Sequence, residues 1–89
     1  MLDILFTNQF KKDFKKIRKL PFKDLKAIFD LISKLEKREK LDLKFKNHNL
    51  TGDYTGYQEC HIKPDLLLIY KTNEDHLYLT RIGSHSELF

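Results

Sequence analysis

Apolar residues recur at intervals of three and four along the first part of the chain, then at every second position or in unbroken runs toward its end. The first spacing belongs to helices that bury one stripe, and the second to strands. Leu2 to Phe6 is a short apolar stretch holding Asp3 and followed by Thr7, so it reads as a strand leading into a helix cap. From Asn8 to Lys19, Phe10, Phe14 and Ile17 fall at i, i+4 and i+7, and charged residues take the rest of the surface. This predicts a one-sided helix with a basic back. Pro21 suits the first turn of a second helix over Phe22 to Glu39, whose stripe is Leu25, Ile28, Phe29, Ile32 and Leu35. At helical spacing the phenylalanines are expected to be core residues rather than stacking platforms for bases.

After Lys40 the periodicity weakens. Asn47-His48-Asn49 is expected to be loop, with turns at Gly52-Asp53 and Gly56. Tyr57 to Lys63 alternates, which puts Tyr57, Glu59 and His61 on one face and Gln58, Cys60 and Ile62 on the other. Beyond Pro64-Asp65, Leu66 to Tyr70 is a continuous apolar run suited to a central strand covered on both sides. Asn73 to Asp75 forms a hairpin turn, His76 to Ile82 the returning strand, and Arg81 to Phe89 runs out into a turn. The order β-α-α-β-β-β predicts one α+β domain over residues 1–89. It has two layers, two helices on one face of a mostly antiparallel four-stranded sheet.

Composition narrows the class. Eighty-nine residues, 40% hydrophobic and 34% charged, suffice for one small core. The single cysteine, Cys60, has no internal partner. The apolar start is too short for a secretory signal and no run is long enough to span a membrane, so the expected location is cytoplasmic. The net charge of +4 is unevenly spread. Up to Lys46 there are fourteen Lys and Arg against seven Asp and Glu, and after it three against six. The basic half offers a footprint for a polyanion, with Lys12, Lys15, Lys16, Arg18 and Lys19 as its candidate contacts.

The residues able to do chemistry lie in the other half. His48, His61 and His85 stand at loop or strand ends, together with Asp65, Glu59 and Arg81. Cleaving a phosphodiester with its own 2′-hydroxyl requires a base, an acid and a cation for the crowded phosphorane. Histidines can fill the first two roles, and the planar fork of Arg81 fits the third. Asp65 or Glu59 would orient a histidine. This scheme requires no metal. Zinc ligation by His48, His61, Asp65 and His85 is the weaker reading, because their spacing contains no compact ligand pair.

At these residues the chain resembles the YafQ-like branch of the RelE/ParE toxin superfamily, small bacterial toxins of type II toxin–antitoxin systems. The resemblance runs over the whole chain. It is most specific at His48 with Leu50 and Gly52, at Gly56-Tyr57 leading to His61, at Lys63-Pro64-Asp65, and at Arg81, Gly83 and His85 with Leu88-Phe89. It implies a ribosome-dependent mRNA endoribonuclease without cofactor. In that family His48, His61, Asp65 and His85 would form the acid–base group, with His85 the general acid and either Asp65 or His61 the base. Arg81 would stabilise the phosphate, Phe89 would stack on or orient a nucleotide, and Glu59 would support. Leu66 stands where relatives often carry tryptophan. The implied partners are the ribosome and mRNA, and a cognate DinJ-like antitoxin with an acidic neutralising segment, through which alone promoter DNA would be bound. A non-catalytic gyrase-poisoning toxin of the ParE type and a basic RNA-binding module are the alternatives. Both lack a use for the histidine cluster.

Overall fold

The computed structural model describes residues 1–89. Its elements are β1 (Asp3–Phe6), α1 (Asn8–Ile17), α2 (Phe22–Glu36), β2 (His48–Asn49), β3 (Gln58–Lys63), β4 (Leu66–Thr72), β5 (His76–Gly83) and α3 (His85–Leu88). The α+β class, the two helices on one face and the antiparallel β3-β4-β5 meander agree with expectation. The sheet, however, has five strands in the order β1-β5-β4-β3-β2. His48-Asn49, expected as loop, adds a two-residue strand antiparallel to Gln58-Glu59. Two residues are too few to carry an alternating pattern. β1 pairs parallel to β5, with Asp3 opposite His76 and Phe6 opposite Leu79.

Thr7 fixes the turn from β1 into α1. Its hydroxyl accepts from the Phe10 amide at 3.0 Å and donates to the Thr80 carbonyl at 2.8 Å, capping the helix and tying it to β5. α1 ends at Ile17 and α2 at Glu36, two and three residues before the expected limits at Lys19 and Glu39. Arg38 takes a positive φ of 59° just past α2, where its guanidinium donates to the Asn73 and Glu74 carbonyls of the β4-β5 turn. The C-terminal turn is a helix. Ser84 and Glu87 form a reciprocal capping box, with the Ser84 amide on Glu87 Oε1 at 2.9 Å and the Glu87 amide on Ser84 Oγ at 3.3 Å.

β4 is buried from Leu66 to Tyr70 on both faces. On the helix side Leu68 and Tyr70 join Ile28, Leu31, Ile32 and Leu35 of α2, Phe10 and Ile17 of α1, and Cys60, Leu77, Leu79 and Ile82 of the neighbouring strands. On the other side Leu67 and Ile69 are covered only by Leu88 of α3, with Leu50, Tyr54 and Tyr57 around them. Burial pushes the Cys60 thiol up to about 12, with the neighbouring Glu59 carboxylate adding to the shift, so it is an inert core residue. The phenylalanine stripe departs in part from expectation. Phe10 is buried, but Phe6, Phe14 and Phe29 continue from it ring against ring, at centroid separations of 5.6–6.2 Å, out onto an exposed surface.

Leu68 stands at the centre of the larger core with no exposure. Leu68→Ala is expected to lower unfolding stability by about 2–5 kcal/mol, measured by urea denaturation.

Candidate active site

The register of the sheet gathers the chemistry on the face opposite α1 and α2. His48 pairs with Glu59, Glu59 with Ile69, and Ile69 with Arg81, so these four residues form one row across β2, β3, β4 and β5. The next row is His61, Leu67 and Gly83. Glu59 and Arg81 are two strands apart, about 10 Å at the usual strand spacing.

Strict alternation would have put Arg81 on the core face with Leu77 and Leu79. A bulge prevents this, because Tyr70 pairs with Leu79 and Ile69 with Arg81, leaving Thr80 as an extra residue. The bulge returns Ile82 to the core and frees Arg81 from it. Gly83 leaves space in the second row for α3 to fold back. A Cβ there would come within 3.1 Å of Glu87 Oε1 and 3.5 Å of Leu88 Cδ2.

Two carboxylate–histidine pairs face each other on this surface. His61 Nε2 lies 3.2 Å from Glu59 Oε1, as the shared face of alternating residues on β3 predicts. His85, the first residue of α3, has Nδ1 2.9 Å from Asp65 Oδ1, and the same oxygen accepts the His85 backbone amide at 3.0 Å. A carboxylate only accepts, so His85 Nδ1 carries the hydrogen and Nε2 is not engaged by Asp65. These bonds from His85, first its amide and then its ring, hold the exposed Asp65 carboxyl below its ordinary range. The His61 and His85 rings are 5.6 Å apart and nearly perpendicular. His61 is mostly shielded, its side chain 18% exposed, whereas that of His85 is 55% exposed. His48 completes the cluster, its ring 6.2 Å from His61 and its Nε2 3.6 Å from Glu59 Oε1. Its Nδ1 donates to the Lys46 carbonyl at 2.7 Å.

Arg81 is held from a direction that sequence reasoning missed. Its Nε and Nη2 donate to Asp13 Oδ2 and Oδ1 at 2.8 and 3.1 Å. Asp13 lies on the buried stripe of α1, between Phe10 and Ile17, with a side chain only 5% exposed. A lone acid in phase with that stripe is the signal that could have identified it. β1 covers β5 only as far as Leu79, and Asp13 takes over beyond it, accepting the Ile82 amide at 3.2 Å. Burial by itself would raise the Asp13 pKa, but hydrogen bonds from Arg81, Gln9 and Ile82 outweigh it and the carboxyl sits below its usual range. The Asp13 hydrogen bond in turn raises Arg81, and the Tyr54 phenol beside it adds to this.

Phe89 is 62% exposed and meets Tyr54 edge to face at 5.8 Å. It is Leu88, not Phe89, that packs onto the sheet. Tyr54 therefore links Arg81 to Phe89, a residue that the turn signals around Gly52 did not single out. Lys16 acts electrostatically on Glu87 and so stands beside α3, while the α1 lysines otherwise cover an exposed helix back. Glu59, His61 and His85 bring one ligand atom each within 4.8 Å of one another, a set able to hold a transition metal.

Residues 2–89 match a family described as the YafQ bacterial toxin of a type II toxin–antitoxin system. The chain is 35% identical over 88 residues to the mRNA interferase toxin YafQ of Escherichia coli K12, covering 98% of this chain and 95% of that protein. Among solved structures it is similar to the toxin in the E. coli DinJ-YafQ complex, at 34% identity and TM-score 0.87, over 100% of this chain and 99% of the other. A metal-bound toxin from Helicobacter pylori is 44% identical with TM-score 0.90 over the whole of both chains.

Asp13 generates a pH prediction. Its folded pKa lies below its unfolded value, so its contribution is complete above about pH 4 and is lost as pH falls through the folded pKa. Asp13→Asn is expected to cost about 1–3 kcal/mol at pH 7. The gap between variant and wild type should shrink as urea unfolding is repeated at decreasing pH below 4, and a gap independent of pH would contradict this account.

Proposed function

Because the chain belongs to the YafQ family of bacterial type II toxin–antitoxin toxins, we propose that it is an mRNA interferase, an endoribonuclease that cuts messenger RNA on the ribosome and so blocks translation. The observation that carries this reading is the pair of carboxylate-anchored histidines with rings 5.6 Å apart. Attack of a 2′-hydroxyl on the adjacent phosphate needs one group to take a proton and another, close by, to give one to the departing 5′-oxygen. His61, steadied by Glu59, is the base, and His85 is the acid. Asp65 spends its oxygen on the His85 amide and ring, so it serves as the group that fixes the tautomer and direction of His85.

Arg81, fixed by Asp13, offers its remaining N–H groups to the phosphorane, and Phe89 on Tyr54 presents an exposed ring to a base. His48 stands behind His61 and shares Glu59. The toxin acts in the cytoplasm, where its mRNA substrate is translated, and no helix of the chain is long and apolar enough to cross a membrane. Its neutralising partner is an antitoxin, as the complex of the E. coli relative with DinJ suggests. Phe6 and Phe29, exposed at the two ends of the run through Phe10 and Phe14, give such a partner apolar surface to cover.

A metal would have a different effect. Zinc held by Glu59, His61 and His85 would occupy ring nitrogens that proton transfer needs, so it would inhibit the enzyme.

In a translating extract, primer extension should show new mRNA 5′ ends with the wild type, reduced about 10²–10⁴-fold by His85→Ala. Equal cleavage by the two proteins would dismiss the assignment. A chelator selective for zinc over magnesium is expected to leave cutting intact, while micromolar zinc stops it and the chelator then restores it. Cleavage that depends on added zinc would reverse the role given to the metal.

A further inference from the structure

β2 pairs with β3 only at Gln58 and Glu59, so the edge of β3 from His61 onward has no neighbouring strand on that side. A groove of about 720 Å³ lies there, between β3, α2 and the 3-10 turn Leu43–Phe45 that precedes β2. This volume is within the ~300–1,000 Å³ usual for binding clefts. His61 and His85 both line it, so the groove opens onto the two histidines of the site.

The walls of the groove are basic. Lys34 comes from α2, Lys44 and Lys46 from the turn and its end, and Lys63 from β3. Lys63 is bonded to Asp24 at 2.9 Å. The one acid on the wall, Asp30, is bonded to Lys26 at 2.8 Å. Lys34, Lys44 and Lys46 have no carboxylate partner within ion-pair distance, and three unpaired ammonium groups surround a path that leads to the acid–base pair.

Phe45 organises two of them. Its ring packs against the main core from one side, and the Lys34 and Lys44 ammoniums stand 5.6 and 5.2 Å from its centroid. An ammonium over a ring face is attracted by the ring's quadrupole. Lys46 is held in the left-handed region, at φ 49°, a conformation that a non-glycine residue adopts only when its surroundings impose it. Its backbone is fixed on both sides, the amide donating to the Leu43 carbonyl and the carbonyl accepting from His48 Nδ1. The bend that places the Lys46 side chain on the groove is thus tied to the histidine cluster.

Resting on the ribonuclease reading above, we propose that this groove is the track that carries the RNA strand to His61 and His85. Lys34, Lys44 and Lys46 bind its backbone phosphates, and Phe45 serves as the positioning residue for two of the ammoniums. The α1 lysines do not line the groove. An ammonium reads phosphate as a point charge without regard to base, so the track supplies affinity and register rather than sequence preference.

The test uses a fluorescein-labelled single-stranded RNA, 2′-O-methylated throughout so that it cannot be cut, with binding followed by anisotropy over a range of salt concentrations. The variants are Lys34→Gln/Lys44→Gln/Lys46→Gln, the equally charged control Lys11→Gln/Lys23→Gln/Lys37→Gln, whose residues are exposed away from the groove, and Phe45→Leu, each with its urea midpoint measured. Each phosphate contact to a single strand contributes about 0.7 to the slope of log K against log salt. The groove variant is expected to lower that slope by about 2 and the control to leave it near the wild-type value. Phe45→Leu should weaken binding although no charge has been removed.

An unchanged slope in the groove variant, a loss confined to the control, or no RNA binding by the wild type at low salt would each overturn the proposal. So would unchanged RNA binding accompanied by lost affinity for a polyglutamate peptide, which would assign the groove to an acidic polypeptide. Cleavage in the translating extract is scored separately. Wild-type protein that leaves mRNA intact while the groove variant still loses RNA affinity removes the enzymatic reading and keeps the track. Wild-type cutting with an unchanged slope removes the track alone.

Discussion

A strand that is apolar on both faces has to be covered twice, and β4 imposes this on the whole molecule. The first cover is made by α1 and α2, and it is ordinary core. The second is small, consisting of Leu88 with Leu50, Tyr54 and Tyr57 over Leu67 and Ile69. The elements that provide it are the ones that carry the chemistry. Burying Leu88 draws α3 onto the sheet, and α3 presents His85 at one end and Phe89 at the other. Tyr54 covers β4 and also meets Phe89 and Arg81. Positioning of the site is therefore coupled to an apolar contact of a few side chains, which makes preorganisation sensitive to substitutions that touch no reacting atom.

Electrostatics supplies the second layer of positioning, and the charged partners are arranged by depth. Glu59 and Asp13 are buried, each holding a less buried side chain in place, His61 in one case and Arg81 in the other. Asp65 is exposed and does the same for His85 with a hydrogen bond to the ring and one to the amide. His61, Arg81 and His85 are thus each backed by an acid. Asp13 has the widest reach of these acids, since one carboxylate ends the β5 edge, anchors α1 and fixes the guanidinium.

Much of this was legible in the sequence, for reasons that particular elements make plain. The stripes of α1 and α2, the alternation of β3 and the unbroken run of β4 each arise from burial repeated over several turns or pleats, so they leave a pattern. The pairing of Glu59 with His61 followed from parity alone. What escaped was set by single events. β2 is two residues long, the Thr80 bulge inverts parity at one position, and the parallel pairing of β1 depends on a partner more than seventy residues away. The Ser84–Glu87 capping box was readable and marks a helix where a turn was expected. The phenylalanines show the opposite case, in which helical spacing is real but the stripe is wider than the core it faces.

The parallel pairing of β1 with β5 bears on the order in which the sheet can close. Asp3 to Phe6 can find their place in the sheet only after His76 to Leu79 exist, and the Thr7 hydroxyl bonds a carbonyl 73 positions away. Such contacts carry a large loop-closure entropy and form late and slowly compared with helix pairs. During vectorial synthesis the first strand emerges with nothing to pair against until β5 has been made. Docking of β1 therefore waits on β5, and with it the α1 carboxylate that holds Arg81.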